Sequence, residues 1–250
     1  MELWDAIGGT QGATITLIGA GGKTSTVFRL AEQAAGRGWT VLVTTTTRMW
    51  RPDLPLILAE EAPELSISIQ SVLARDHIAV AGERVSGDGK LIGLDPDRLC
   101  RLEGMDVTVC EADGAAGRSL KFHRPGEPVV PRCTTHLVVV SGLDAVGRSI
   151  LESAHPPAFS AEYLGEREDS TIGRTHLERA LLEGGGFRPP GARLIYLLNK
   201  ADGQEQVRIG QQATRALLGA HPDATVLLVS FGHVVDVARD RAGPPSYTRP

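Results

Sequence analysis

Thr14-Ile15-Thr16-Leu17-Ile18-Gly19-Ala20-Gly21-Gly22-Lys23-Thr24-Ser25-Thr26 decides how the rest of this 250-residue chain is read. An apolar strand runs into a glycine turn, and a lysine followed by hydroxyl residues opens a helix with Val27, Leu30, Ala31, Ala34 and Ala35 at helical spacing. This is the layout of a phosphate-binding loop. Glycine adopts positive φ at little steric cost, so successive N–H groups can converge on one anion, and the helix N-terminus adds donors and partial positive charge. Gly19, Ala20, Gly21, Gly22 and Ser25 then form a cradle, Lys23 reaches the β- and γ-phosphates, and the Thr24 hydroxyl is a ligand for Mg2+. Leu17 stands where the longer G-x-x-x-x-G-K-[ST] pattern has its first glycine, which leaves the shorter G-x-x-G-K-T.

Outward from the loop, apolar runs alternate with helical patterns. Strands are expected at about 14–18, 39–44, 106–110, 135–141, 194–198 and 226–230, with a short helix at 3–7 and another from about 205 to 218. Thr175 and Glu178 read as a capping box for a helix through Leu182. The alternation predicts an α/β fold, P-loop NTPase-like, with three α/β/α layers and a mainly parallel sheet. Between 51 and 105 the prolines loosen the pattern. There Ile78-Ala79-Val80-Ala81-Gly82 and Lys90-Leu91-Ile92-Gly93, joined through Ser86-Gly87-Asp88-Gly89, predict a β-hairpin in an insertion beside the sheet that helps form a second ligand site. One domain over 1–240 is expected, irregular over 147–172 and followed by a disordered Pro- and Gly-rich tail at 241–250.

Composition narrows the partners. Hydrophobic residues at 42% supply a core, while 4% aromatics and a net charge of −4 speak against a nucleic-acid surface. No apolar run is long enough to span a bilayer and no leader pattern opens the chain, so a cytoplasmic protein without a membrane partner is expected. Cys100, Cys110 and Cys133 cannot all pair and show no metal spacing. Neither a disulfide framework nor a structural zinc site is expected; Cys110 reads as a small core residue and Cys100 as lacking a partner.

Three further stretches carry chemistry. The threonines of Thr44-Thr45-Thr46-Thr47 either finish a strand or place hydroxyls in the crevice, where Thr46 is a candidate to position water. Glu111 and Asp113 follow a buried strand as in a Walker-B element; Asp113 is expected to hold Mg2+ with Thr24, and Glu111 to orient an attacking water. In Asn199-Lys200-Ala201-Asp202, the Asp202 carboxylate can accept two hydrogen bonds from guanine, Asn199 can support the base edge and the Lys200 stem can cover the ring. Arg118, Lys121, His123 and Arg124 are either solvated or grip an anionic ligand.

Together with Glu127-Pro128-Val129-Val130-Pro131 and Gly142-Leu143-Asp144, these motifs occur in an order that resembles the YqeC family over roughly residues 10–235. The resemblance implies a role accessory to selenium-dependent molybdenum hydroxylases, with that enzyme or its cofactor-maturation proteins as partners. The shortened loop is in addition similar to that of Mur-type ligases. Three readings stand side by side. The first is an NTPase using GTP and Mg2+, the second an ATP-dependent ligase or activating enzyme acting on a small acid, and the third a nucleotide-gated chaperone with little hydrolysis of its own.

Overall fold

Apolar runs without polar alternation form strands buried on both faces, which is the pattern of a parallel sheet covered by helices. The computed structural model describes residues 1–230 and 232–239, so the tail expected over 241–250 lies outside the described residues. The first half of the chain forms α1 (Leu3–Ile7), β1 (Thr14–Gly19), α2 (Lys23–Ala35), β2 (Val41–Thr45), β3 (Arg48–Trp50), β4 (Leu56–Leu58), α3 (Leu65–Asp76), β5 (Ile78–Gly82), β6 (Arg84–Val85), β7 (Lys90–Ile92), α4 (Pro96–Leu99) and β8 (Val107–Glu111). The second half forms β9 (Leu120–Lys121), β10 (His136–Gly142), α5 (Ile150–Ser153), β11 (Ala154–His155), α6 (Pro157–Leu164), α7 (Arg174–Gly185), β12 (Arg193–Asn199), α8 (Gln204–Ala220), β13 (Thr225–Ser230) and β14 (His233–Arg239).

Nine strands make the main sheet in the order β14-β13-β12-β10-β1-β8-β2-β5-β4, parallel throughout except for β14. The chain crosses from one side of β1 to the other between β8 and β10, so β1 lies at a switch point where the carboxyl ends open a crevice. Side-chain alternation splits the core between the faces. Ile15 and Leu17 pack with α1 and α2, whereas Ile18 packs with α7 and α8. Leu42 and Cys110 face α3. The result is the expected three-layer α/β/α arrangement. Among the described residues, no helix is long and apolar enough to cross a membrane.

Four expectations need correction. Ile78–Gly82 does not form a hairpin with Lys90–Ile92; as β5 it pairs in parallel with β2 and β4 in the main sheet. Its uninterrupted apolar run suits burial on both faces, and the hairpin is instead the short β6 with β7, which also pairs with β3. Residues 147–172 are not irregular. Ser149 and Glu152 close a capping box over α5, and Pro157 opens α6 at a position where its missing N–H costs nothing. The Thr175 cap is displaced as well: α7 begins at Arg174, and the Gly173 N–H donates to His176 Nδ1 at 3.2 Å. Gly184 and Gly185 lie inside that helix. A Cβ there would sit 2.5 Å from Val139 Cγ1 and 2.1 Å from the Tyr196 hydroxyl, so the glycines let the helix approach the sheet. Finally, Cys100 is not unpaired. It forms a disulfide with Cys133, whose Cα lies 5.6 Å away, joining the end of α4 to the loop before β10. Thirty-three residues of separation give no local signal for that pairing. Cys110 is the buried free thiol, pushed up to about 12 by burial.

Candidate functional site

The chain leaves β1 through Gly19, Gly21 and Gly22, at φ of 97°, 82° and 120°. A Cβ on Gly19 or Gly21 would lie 2.2 Å from Val140 O or 2.3 Å from Gly142 N, both backbone atoms, and one on Gly22 would displace Asn199 Nδ2, 2.3 Å away; at all three the positive φ also strains any other residue. The Ala20 N–H donates to Val140 O and the Gly21 N–H to Arg118 O, which ties the loop to its neighbours. The first bond of helical type is Thr26 N–H to Gly22 O, so the N–H groups of Lys23, Thr24 and Ser25 have no helical partner at the crevice.

Lys23 is 4% exposed and its Nζ donates to Gly19 O at 2.6 Å. It stands 3.0 Å from Asp113 Oδ1 and 3.6 Å from Glu111 Oε1. Both carboxylates therefore reach one ammonium, as their spacing of two predicts. Their surroundings differ. Glu111 accepts the Thr24 hydroxyl at 2.8 Å and borders the cleft. Asp113 is fully buried behind the loop, where its Oδ2 accepts the Gly19 N–H at 2.7 Å and meets His123 Nε2 at 2.7 Å. The structure thus brings Thr24 to Glu111 and not to Asp113. His123 Nδ1 meets Glu183 Oε2 on α7 at 2.9 Å, so the imidazole lies between two carboxylates.

These contacts set the charges. Burial raises the Glu111 carboxyl above its ordinary range, more than Lys23 and Thr24 lower it. Burial would also raise Asp113, but the Lys23 ammonium and the hydrogen bond from His123 outweigh it and hold the acid below its usual value. For His123, desolvation favours the neutral ring, yet the bonds to Asp113 and Glu183 prevail and the pKa rises. A raised histidine stabilises the fold fully below its unfolded value near 6.5 and loses that contribution as pH climbs through the folded value. Asp113 contributes above its unfolded value near 3.8 and loses it as pH falls through the lower folded one. The protein is therefore expected to lose melting temperature as pH rises above 6.5, and His123→Gln to flatten that alkaline limb. Equal slopes for the two proteins would show that the imidazole carries no such coupling.

On the other side of β1, β12 delivers Asn199, whose Nδ2 donates to Gly21 O at 2.8 Å. Lys200, held at a left-handed φ of 60°, borders the cleft and reaches Asp144 Oδ2 at 2.9 Å and Ser119 Oγ at 2.8 Å. Asp202 lies outside the loop cleft, in a surface depression with Gly203 and Gln204. Its Oδ1 accepts the hydroxyl of Ser230, at the end of β13, at 2.8 Å.

The threonine tract serves the backbone. Thr44 donates to Ala81 O, Thr45 to Glu111 O and Thr46 to Val129 O, the last at 2.6 Å, so the hydroxyl of Thr46 does not enter the cleft. The cations divide. Arg118 lines the cleft, Lys121 is buried against Glu127 and Gly114 O, and Arg124 is exposed elsewhere. Glu183 and Ser230 carried no signal in the sequence, and His123 stood out only as part of a basic run. The cleft itself has a volume of about 540 Å3, running from the loop to Arg48 and Trp50.

Among the described residues, no group of three or more His, Cys, Asp and Glu side chains could hold a metal ion. One carboxylate and one hydroxyl, Glu111 and Thr24, meet at the head of the loop. That donor set fits Mg2+, which takes one or two protein oxygens and completes its shell with phosphate and water.

The family model described as YqeC protein matches residues 15–158, a span that holds the loop, the threonine tract, the acidic pair and His123. A protein of Escherichia coli (strain K12) described as "Uncharacterized protein YqeC" is 30% identical over 195 residues, covering 74% of this chain and 75% of the relative. With the model matching more than half of its length, the chain belongs to the YqeC family.

Proposed function

We propose that the chain binds a nucleoside triphosphate with Mg2+, prefers guanine, and hydrolyses the triphosphate in the cytoplasm during maturation of a selenium-dependent molybdenum hydroxylase or its cofactor. The observation that carries the nucleotide part is the meeting of Lys23, Thr24 and Glu111 at a loop whose Gly19 and Gly21 leave no room for a Cβ against the neighbouring backbone. The pathway part rests on the resemblance to the family and on nothing in the geometry.

In this reading, Lys23 and the free N–H groups of the helix start hold the phosphates, and Thr24 with Glu111 holds the cation. Bound Mg2+ would offset the negative charge of the phosphates. Asp113 does not touch the metal. Buried against Lys23, Gly19 and His123, it fixes the loop from behind. Thr46, committed to Val129 O, takes no part in orienting water.

The base lies toward β12. Asn199 joins that strand to the loop and Ser230 holds one oxygen of Asp202; in this reading the carboxylate accepts from the two donors that guanine has and adenine lacks. Asp202→Ala is expected to weaken a non-hydrolysable GTP analogue roughly 5- to 150-fold, the cost of two unmatched donors, while leaving the ATP analogue unchanged. Ser230→Ala should act in the same direction and less. A GTP-to-ATP ratio that is the same in Asp202→Ala and in the unaltered protein would remove the guanine preference.

A further inference from the structure

The second wall of the cleft comes from the small sheet of β3, β7 and β6. Along β3, Met49 is buried and its neighbours Arg48 and Trp50 are exposed, so period two puts those two side chains on the same outer face. Trp50 pairs with Lys90 across β3 and β7, and the Lys90 ammonium lies 4.8 Å from the Trp50 ring centre. Met49 and Leu91, on the inner face, anchor the sheet in the core.

Trp50 is 68% exposed, although it borders a cleft and two cations flank it. Asp88 offsets them in part: it bonds Arg48 at 2.8 Å and stands 3.8 Å from Lys90. Arg118 lines the same cleft. Lys90 covers one face of the indole, and the opposite face of this largely exposed ring, next to a surplus of positive charge, is complementary to a flat, electron-poor ring that bears an anion. A volume of about 540 Å3 suits a small molecule.

This wall is not the base site of the nucleotide. Asn199 and Asp202 follow β12, two strands from β1 on one side, whereas Arg48 and Trp50 follow β2, two strands from β1 on the other. A triphosphate whose base lies toward β12 directs its terminal phosphate toward β8 and β2. We propose that Arg48, Trp50 and Lys90 bind a second small ligand, a phosphate-bearing heteroaromatic compound stacked on Trp50, next to the terminal phosphate of the nucleotide. Only the orientation rests on the nucleotide reading; the ligand chemistry rests on the wall alone.

Flavin mononucleotide carries both features and serves as the probe, with riboflavin for the ring alone and glycerol 3-phosphate for the phosphate alone. Calorimetric titrations would use the full chain, with and without a saturating non-hydrolysable GTP analogue and Mg2+. Flavin mononucleotide is expected to bind at least about tenfold more tightly than either fragment. Trp50→Ala and the charge-neutralising Arg48→Gln, both at exposed positions, should each weaken it roughly tenfold and leave the GTP analogue within about twofold. Lys23→Ala should do the reverse, so loss of nucleotide binding and loss of the second site are separate outcomes. Fragments that bind as well as the whole probe, or a probe indifferent to Trp50→Ala, overturn the proposal. Loss of the GTP analogue in Trp50→Ala would overturn it too, by making this wall the base site.

Discussion

Lys23→Ala is expected to lower affinity for GTP and ATP analogues alike by at least about a hundredfold, since it removes a charge-assisted contact worth roughly 3 kcal/mol. The loss should be independent of the base, because Lys23 bonds Gly19 O at the root of the loop whereas Asp202 lies outside the loop cleft. Equilibrium binding with fluorescent analogues measures it. A variant that keeps its affinity would mean that the ammonium, buried between Asp113 and Glu111, is a structural ion pair and no phosphate ligand.

Asp113→Ala has the largest expected effect on stability. The carboxylate is fully buried and meets Lys23, the Gly19 N–H and His123. Removing it takes the nearer carboxylate from the buried Lys23, leaves His123 with Glu183 alone and leaves the Gly19 N–H without its acceptor, at a cost of about 3–5 kcal/mol. Chemical denaturation would read this as a fall in midpoint with little change in slope. In the double variant Lys23→Met with Asp113→Ala, the buried ammonium is gone as well, so much of the loss should return. Strict additivity of the two single changes would show that the pair is not coupled across the loop.

What the sequence disclosed depended on how local the signal was. The stretch from Thr14 to Thr26 specifies strand, turn and helix within thirteen residues, and the structure follows it to within a residue or two. Glu111 and Asp113 were visible as acids after a buried run. Their division of labour was not, because it depends on which carboxylate meets Thr24 and which meets His123, contacts that span 87 and 10 residues. The strand at Ile78–Gly82 was legible, but its partner was not. A continuous apolar run fits a hairpin or a parallel sheet equally well until the helix at Leu65–Asp76, which the prolines concealed, makes the crossover. The disulfide and the tie from His123 to Glu183 depend wholly on tertiary placement. For Thr46 the strand-end hydroxyl was legible, but its partner, the Val129 carbonyl 83 residues away, was not.

The most direct measurement is a calorimetric titration of the unaltered protein with non-hydrolysable GTP and ATP analogues, each with and without Mg2+. Binding of one equivalent, tighter with Mg2+ and tighter for GTP than for ATP, is the expected result. No binding of either triphosphate at millimolar concentration would contradict the claim that the glycine loop, Lys23, Thr24 and Glu111 form a nucleotide site.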